Sequence, residues 1–487
     1  MDEFKRILKH SAIYGLGNVI SKMIGFILIP VYTNVLSKAE YGLIELLNNT
    51  MIIIQLVVGM GLSIAILRFY SEDKDEDSRD AVITTSIIFT CFFALIVAAV
   101  GLYSSKDLSR LILRDIGYSE PFRVMMFVML FTTIIEVPMV VLRAKERSIT
   151  FLGVSLAQLI IGLVLNIFFI VFLRCGVAGW LLSSLWTSAL ICAYLLYTTL
   201  GGVRKMRFSF SLLKRMLAYT IPLIPASLAM FWIHNGDRYI LNSEVGMGDV
   251  GIYSLGYRFA MMIPILVGQP FFLIWSVRMF HVFEQEGGEK VYARAFTYFT
   301  GVILLFWLCM AATIKEVIFL MSREQYHSAY FIVHIVAMGY VLREFSDFFK
   351  GVLLIRRRTS FIGLSTLISA LVSTVLYLYL IPRFGQLGAA WATFFTFGSM
   401  ALFMFITSQH VCRVPYEYKR LIIMGALAIT ILLSSRYVSL NNLYINMAIK
   451  GFFSLCFFPL LYLFGFFTPD EKEKIAKGLS IVFGFLK

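Results

Sequence analysis

Long apolar runs, each about the length of a bilayer-crossing helix, alternate with short polar connections along the entire chain. Fourteen of them, numbered here as spans 1 to 14, fall near residues 11–36, 41–67, 81–103, 121–142, 150–173, 178–200, 216–236, 250–276, 293–314, 328–354, 360–382, 387–408, 421–435 and 444–467. A helix rising 1.5 Å per residue needs about 20 residues to cross a hydrocarbon core of about 30 Å. The pattern therefore predicts an all-α polytopic membrane protein of about 14 transmembrane helices. With 487 residues shared among them, each span and its connection take about 35 residues, which leaves no room for a soluble domain.

Composition agrees with the pattern. The chain is 59% apolar and 15% charged, against roughly 45–50% and about 25% in soluble domains, which excludes a cytosolic enzyme. The first run follows Lys5, Arg6 and Lys9 but carries Lys22 in its middle and has no small-x-small cleavage site, so it reads as span 1 rather than a signal peptide. The six cysteines are scattered, with no Cys-x-x-Cys pair and no clustering with histidine, and predict neither a disulfide framework nor a metal site.

The net charge of +14 resides in short connections, not in one patch, so topology explains it better than nucleic acid does. Starting with the amino terminus inside, 27 Lys and Arg fall on that side and 11 on the other. By the positive-inside rule both termini are expected in the cytoplasm, and the protein in the cytoplasmic membrane.

The chain also resembles itself at a period of about 210 residues. Phe151 to Ser155 recurs as Phe361 to Ser365, and Val177 to Trp180 recurs, after one inserted residue, as Gly388 to Trp391. More weakly, Val35-Leu36 and Tyr41-Gly42 match Ile240-Leu241 and Val250-Gly251. The repeat predicts a six-helix lobe at 1–205, a second at 206–415, and spans 13 and 14 with a tail at 416–487. Because six is even, the two halves run parallel, a transporter plan in which one half rocks against the other.

The stretches SAIYGLGNVISKMIGFILIPVYTNVLSKAEYG from Ser11 and DRYILNSEVGMGDVGIYSLGY from Asp237, together with the fourteen-span plan, resemble the polysaccharide transporter family. This family includes the Wzx-type flippases of the multidrug/oligosaccharidyl-lipid/polysaccharide (MOP) superfamily. The resemblance implies two six-helix lobes in the V shape of MATE exporters and peptidoglycan-precursor flippases. It also implies transport of polyprenyl-diphosphate-linked oligosaccharide to the outer leaflet for cell-surface polysaccharide. MATE-type exporters usually have twelve helices, so spans 13 and 14 favour the lipid-linked branch. In the peptidoglycan-precursor branch, arginines on helices 1, 2 and 8 face the cavity. Lys22 and Arg258 match on spans 1 and 8, and span 2 offers Asn48 and Asn49 instead.

Ionisable residues inside spans are costly unless they meet a partner or a wet cavity. Lys22 shares its face with Asn18 and can line an aqueous path, or pair with Glu45 or Glu136. Arg258, opposite Asn49 under the repeat, presents a planar fork suited to a diphosphate, or it is an interfacial anchor. Arg343, Glu344, Asp347 and Lys350 on span 10 have helical spacing for mutual pairing, with a coupling relay as the alternative. Asp237 and Arg238 are expected at the outer end of span 7, as part of a gate. Glu136 beside Pro138, and the histidines His234 and His334, are the further coupling candidates.

The acidic turn Glu72 to Asp77 reads as a solvated connection, and the chain has no P-loop, zinc-protease or serine-hydrolase motif. The expectation is a transporter and not an enzyme, with no cofactor, metal or nucleic acid. Its partners are expected to be polyprenyl-diphosphate-linked oligosaccharide, membrane lipids and other polysaccharide-assembly proteins. A cation-coupled small-molecule antiporter of the MATE type is the alternative.

Overall fold

The computed structural model describes residues 26–72, 75–438, 440–469 and 471–473. Those residues are helices joined by short turns, with no strand among them. Eleven helices are long and apolar enough to cross a membrane. One of these, Ser360–Val411, contains both span 11 and span 12, broken at Gly385 with φ 54°. Ala329–Ile355 is also of spanning length but carries the four charges of span 10. With span 1, of which Ile29–Val35 is described, the helices are compatible with fourteen spans.

Local chemistry sets the ends. Ser37 closes a capping box with Glu40 at the start of Lys38–Gly59, and Asp75 caps Glu76–Tyr103. Span 2 then breaks at Met60 and Gly61, both left-handed, before resuming as Leu62–Glu72. Span 7 is interrupted at Ile221–Leu223, where Pro222 and Pro225 remove backbone donors. It continues to Glu244, so Asp237 and Arg238 lie inside the helix and not at the boundary expected for them.

Many large side chains face outward at helical spacing, among them Phe92, Leu95 and Ile96 on span 3 and Leu371, Val375 and Leu378 on span 11. In water such apolar bands would be an aggregation liability. Against lipid tails they cost nothing, which accounts for a protein whose apolar residues cover both its inside and its surface.

The chain divides into two compact units. One comprises residues up to Arg258 with Met321–Ile332 and Gly363–Met400, and the other Phe259–Leu320, Val333–Ile362 and the chain from Ala401 on. Within the first, spans 3, 4 and 6 pack through residues such as Val82, Ile83, Val140 and Leu195, all buried. Within the second, Trp275, Tyr292, Phe296, Phe299 and Phe348 form a continuous aromatic cluster with ring centroids 4.8–6.0 Å apart.

The internal repeat is visible in the backbone. Span 4 ends in a turn with Glu146 at φ 55°, and span 10 in one with Arg357 at φ 57°. Each is closed by the same bonds, Arg147 N–H to the Leu142 carbonyl at 2.9 Å and Arg358 N–H to the Leu353 carbonyl at 2.8 Å. In the first unit, spans 2 and 8 touch through equivalent residues. A Cβ on Gly42 would lie 2.0 Å from the Met247 carbonyl oxygen, and one on Gly251 would lie 2.0 Å from that of Lys38. Lys38 and Met247, and Gly42 and Gly251, are each 209 residues apart, so this close approach is self-complementary in the manner of a two-fold contact.

Candidate functional site

The helix pair that meets at Gly42 and Gly251 carries charge one turn further in. Glu45 on span 2 and Arg258 on span 8 form an ion pair, and the Arg258 guanidinium lies 5.7 Å from the centre of the Tyr41 ring. Glu45 is buried, whereas Arg258 keeps 29% of its side chain accessible. Arg258 is therefore a partnered cation with one open side. With Glu45 engaged by Arg258 and Glu136 by Ser63, both carboxylates weighed as partners for Lys22 have other partners. Lys22 and Asn18 themselves lie outside the described residues.

The two-fold relation extends to this pair. Glu45 corresponds to Ser254 and Arg258 to Asn49, again 209 residues apart, so the symmetry mate of the ion pair is Asn49 with Ser254. Both are buried, and among the described residues the Asn49 Nδ2 and Ser254 Oγ have no hydrogen-bond partner, nor has the buried Tyr41 hydroxyl. Buried polar atoms left in this state usually answer to water or ligand. Asn48, one residue on, is half-buried. Nearby in the same unit, the Tyr32 hydroxyl donates to Asn166 Oδ1 at 2.9 Å, and Asn166 Nδ2 donates to Ser183 Oγ at 2.8 Å.

Asp237 and Arg238 form a second, sealed pair. Neighbouring residues on a helix point apart, yet the long Arg238 side chain folds back to donate from Nη1 to Asp237 Oδ1 at 2.8 Å and to the His234 carbonyl at 2.7 Å. The Tyr253 hydroxyl donates to Asp237 Oδ2 at 2.5 Å, and the Tyr257 ring stacks 4.2 Å beneath the guanidinium. With Asp237 at 0% and Arg238 at 4% exposure, this arrangement ties span 7 to span 8 as a packing element. His234 Nδ1 meets the Tyr257 hydroxyl at 3.1 Å, so it belongs to the same network.

Glu136 faces a cavity of about 350 Å³ in the first unit, lined also by Gln55, Gly61, Ser63, Thr220 and Ser227. Ser63 Oγ donates to it at 2.5 Å. The walls come from the broken stretches of spans 2 and 7 and the proline-bearing span 4.

In the second unit, span 10 presents a charge cluster to a cavity of about 300 Å³. Lys350 Nζ donates to Asp347 at 2.7 Å, and Arg343 lies 3.7 Å from Asp347 and 3.4 Å from Glu344. The helical spacing expected from the sequence is therefore used for pairing. Glu344 is the most deeply placed of the four, and a Cβ on Gly268 would lie 2.0 Å from its Oε2. Gly268 ends the π-helical turn Pro264–Gly268 of span 8, so a widened turn and a missing side chain together admit the carboxylate. A glycine just after Pro264 in an apolar run was the available signal. The described residues contain no group of His, Cys, Asp and Glu able to hold a metal ion.

Residues 7–273 match the polysaccharide biosynthesis protein family. The Lsg locus putative protein 1 of Haemophilus influenzae is 21% identical over 268 residues, which are 54% of this chain and 63% of that protein, so the chain spans less than two thirds of that curated relative. Among solved structures, the lipid II flippase MurJ in an inward closed conformation superposes with a TM-score of 0.76 at 13% identity, over 93% of this chain and 99% of that one. An inward-facing multidrug resistance MATE family transporter of the MOP superfamily gives 0.65 at 16% identity, over 80% and 94%. The fold is thus that of MurJ and the MATE transporters, and the chain belongs to the polysaccharide biosynthesis protein family.

Proposed function

We propose that the protein is a flippase that carries a polyprenyl-diphosphate-linked oligosaccharide from the inner to the outer leaflet of the cytoplasmic membrane, for cell-surface polysaccharide synthesis. Alternating access arises from rocking of the repeat halves 1–205 and 206–415, with 416–487 alongside. The single observation that carries this reading is the Glu45–Arg258 pair, a partly accessible arginine beside buried polar atoms that lack partners among the described residues.

In the proposed cycle the diphosphate competes with Glu45 for the Arg258 fork, because a bidentate phosphate contact is charge-assisted on both oxygens. Asn48 and Asn49, with Lys22 and Asn18 on span 1, supply the further polar contacts. The lipid tail stays in the bilayer and crosses no barrier. With the inside negative, outward movement of anionic charge gains about 2.3 kcal/mol per charge per 100 mV. The membrane potential thus supplies a driving force without nucleotide hydrolysis. Glu136, Asp237, Arg343 and Asp347 are the coupling or gating residues of this scheme, with Asp237 holding spans 7 and 8 together during the movement.

The cavity around Glu136 favours a second reading, because a carboxylate with hydroxyl neighbours suits a cation. On that reading the protein is a cation-coupled small-molecule antiporter of the MATE type. Reconstitution separates the two. Potential-dependent flipping of a defined polyprenyl-diphosphate oligosaccharide in proteoliposomes supports the flippase, and ion-driven export of a small cation without flipping replaces it.

A further inference from the structure

A third cavity, of about 580 Å³, lies in the first unit where spans 2, 4 and 6 end and span 3 begins. This is the side that the basic-residue bias assigns to the cytoplasm. It is far from Arg258 in sequence and uses none of the residues of the proposed transport site. Its charges are unevenly matched. Glu76 pairs with Arg204, and the Asp80 carboxylate accepts the Arg204 backbone N–H at 2.8 Å. Arg79 lies 4.9 Å from the Tyr70 ring centre and donates to the Tyr70 carbonyl at 3.3 Å.

Lys145 and Arg147 also line the cavity, and no carboxylate lies within ion-pair distance of either among the described residues. Glu146, the left-handed residue between them, lines the cavity as well. Burial, and then the Arg147 charge beside it, push the Lys145 amine below the ordinary lysine range, with the Asp80 carboxylate acting the other way. Span 5 begins at the next residue, Ser148, whose N–H donates to the Glu146 carbonyl at 2.9 Å.

We propose that this cavity is a binding site for a phosphate-bearing anion, gripped by Lys145 and Arg147 at the start of span 5. Its volume suits a phosphate or diphosphate with a small substituent. The source is either the headgroup of an anionic lipid in the adjoining leaflet or a soluble phosphate ester. The two share the same chemistry, a tetrahedral oxyanion accepting from an ammonium and a guanidinium.

The test reads Lys145 in the full chain. Amine acylation is followed by mass spectrometry on protein in phosphatidylcholine discs, with and without inorganic diphosphate at constant ionic strength, and in discs containing phosphatidylglycerol. A bound anion that raises the amine pKa by one unit slows acylation about tenfold. Lys205, exposed and paired with Asp77, should be unaffected. Protection by inorganic diphosphate identifies a soluble source, and protection only in phosphatidylglycerol identifies the headgroup. Either supports the site if Arg147→Gln weakens it. No protection from either source, or equal protection in Arg147→Gln, overturns the proposal, as does slowing by chloride alone. Should Arg147→Gln fail to insert, the wild-type comparison still decides between protection and none. Flipping activity does not enter the readout, so failure here leaves the transport reading untouched.

Discussion

Lys450 on span 14 and Glu316 on span 9 form an ion pair at 2.5 Å inside the second unit, with side chains 11% and 3% exposed. Among the described residues only one carboxylate oxygen is satisfied, since Glu316 Oε2 has no hydrogen-bond partner there. The replacement Lys450→Met keeps the length of the side chain and removes the charge, leaving a carboxylate stranded in an apolar interior. Breaking a buried pair in this way costs about 3–5 kcal/mol, whereas replacing both partners with apolar groups is about neutral or stabilising by up to about 4 kcal/mol. The double variant Lys450→Met/Glu316→Leu should therefore recover most of the loss, with a coupling energy of about 3 kcal/mol or more. Equilibrium unfolding in mixed detergent micelles, with a probe on span 14, measures all three variants. A cost below about 1 kcal/mol for Lys450→Met, or a double variant no more stable than the single, would refute the claim that span 14 is pinned by this pair rather than by lipid-facing packing alone.

Three further outcomes are expected. Gly42→Ala and Gly251→Ala should each destabilise the first unit by about 1–3 kcal/mol or more, because each Cβ meets a backbone carbonyl at 2.0 Å. Gly363→Ala, with open space around it, should be neutral in the same thermal-stability assay, and unequal losses at positions 42 and 251 would contradict the two-fold contact. Although burial alone would raise it, the Glu471 carboxyl is held down at about 2 by Arg420, Tyr298 and the Thr468 N–H. Its contribution to docking Thr468 and residues 471–473 is therefore complete above the ordinary carboxylate range and is lost as pH falls through about 2. Hydrogen exchange of that segment should rise over this acid window and lose the dependence in Glu471→Gln; an unchanged profile in the variant would refute the assignment. Gly268→Ala should displace the Glu344 carboxylate that its Cβ would strike, lowering stability by about 1–3 kcal/mol, and Gly268→Ala/Glu344→Ala should regain part of it in thermal unfolding.

The spans were legible because a bilayer requires long uninterrupted apolar runs, and the runs survive even where a helix breaks at Gly61 or Gly385. Pairing within one helix was legible too, since Arg343, Asp347 and Lys350 stand three and four residues apart. Pairing between helices was not. Glu45 and Arg258 are separated by 213 residues, and only the repeat, which sets Arg258 opposite Asn49, hinted that spans 2 and 8 meet. Asp237 and Arg238 looked like a helix end because adjacent charges usually mark one, whereas tyrosines from span 8 make their burial tolerable. The Glu316–Lys450 pair escaped because its partners lie on different spans, although each is a charge within or beside an apolar run. Asn18 and Lys22 stand as sequence expectations alone.

The central claim is that an anionic headgroup takes the Arg258 fork from Glu45. The most direct measurement is flipping of a defined polyprenyl-diphosphate oligosaccharide in proteoliposomes, with and without an imposed potential. Wild type is compared with Arg258→Ala and Lys22→Ala at matched insertion. The account predicts potential-dependent flipping in the wild type that both cavity substitutions abolish. Flipping that continues unchanged in Arg258→Ala would contradict it.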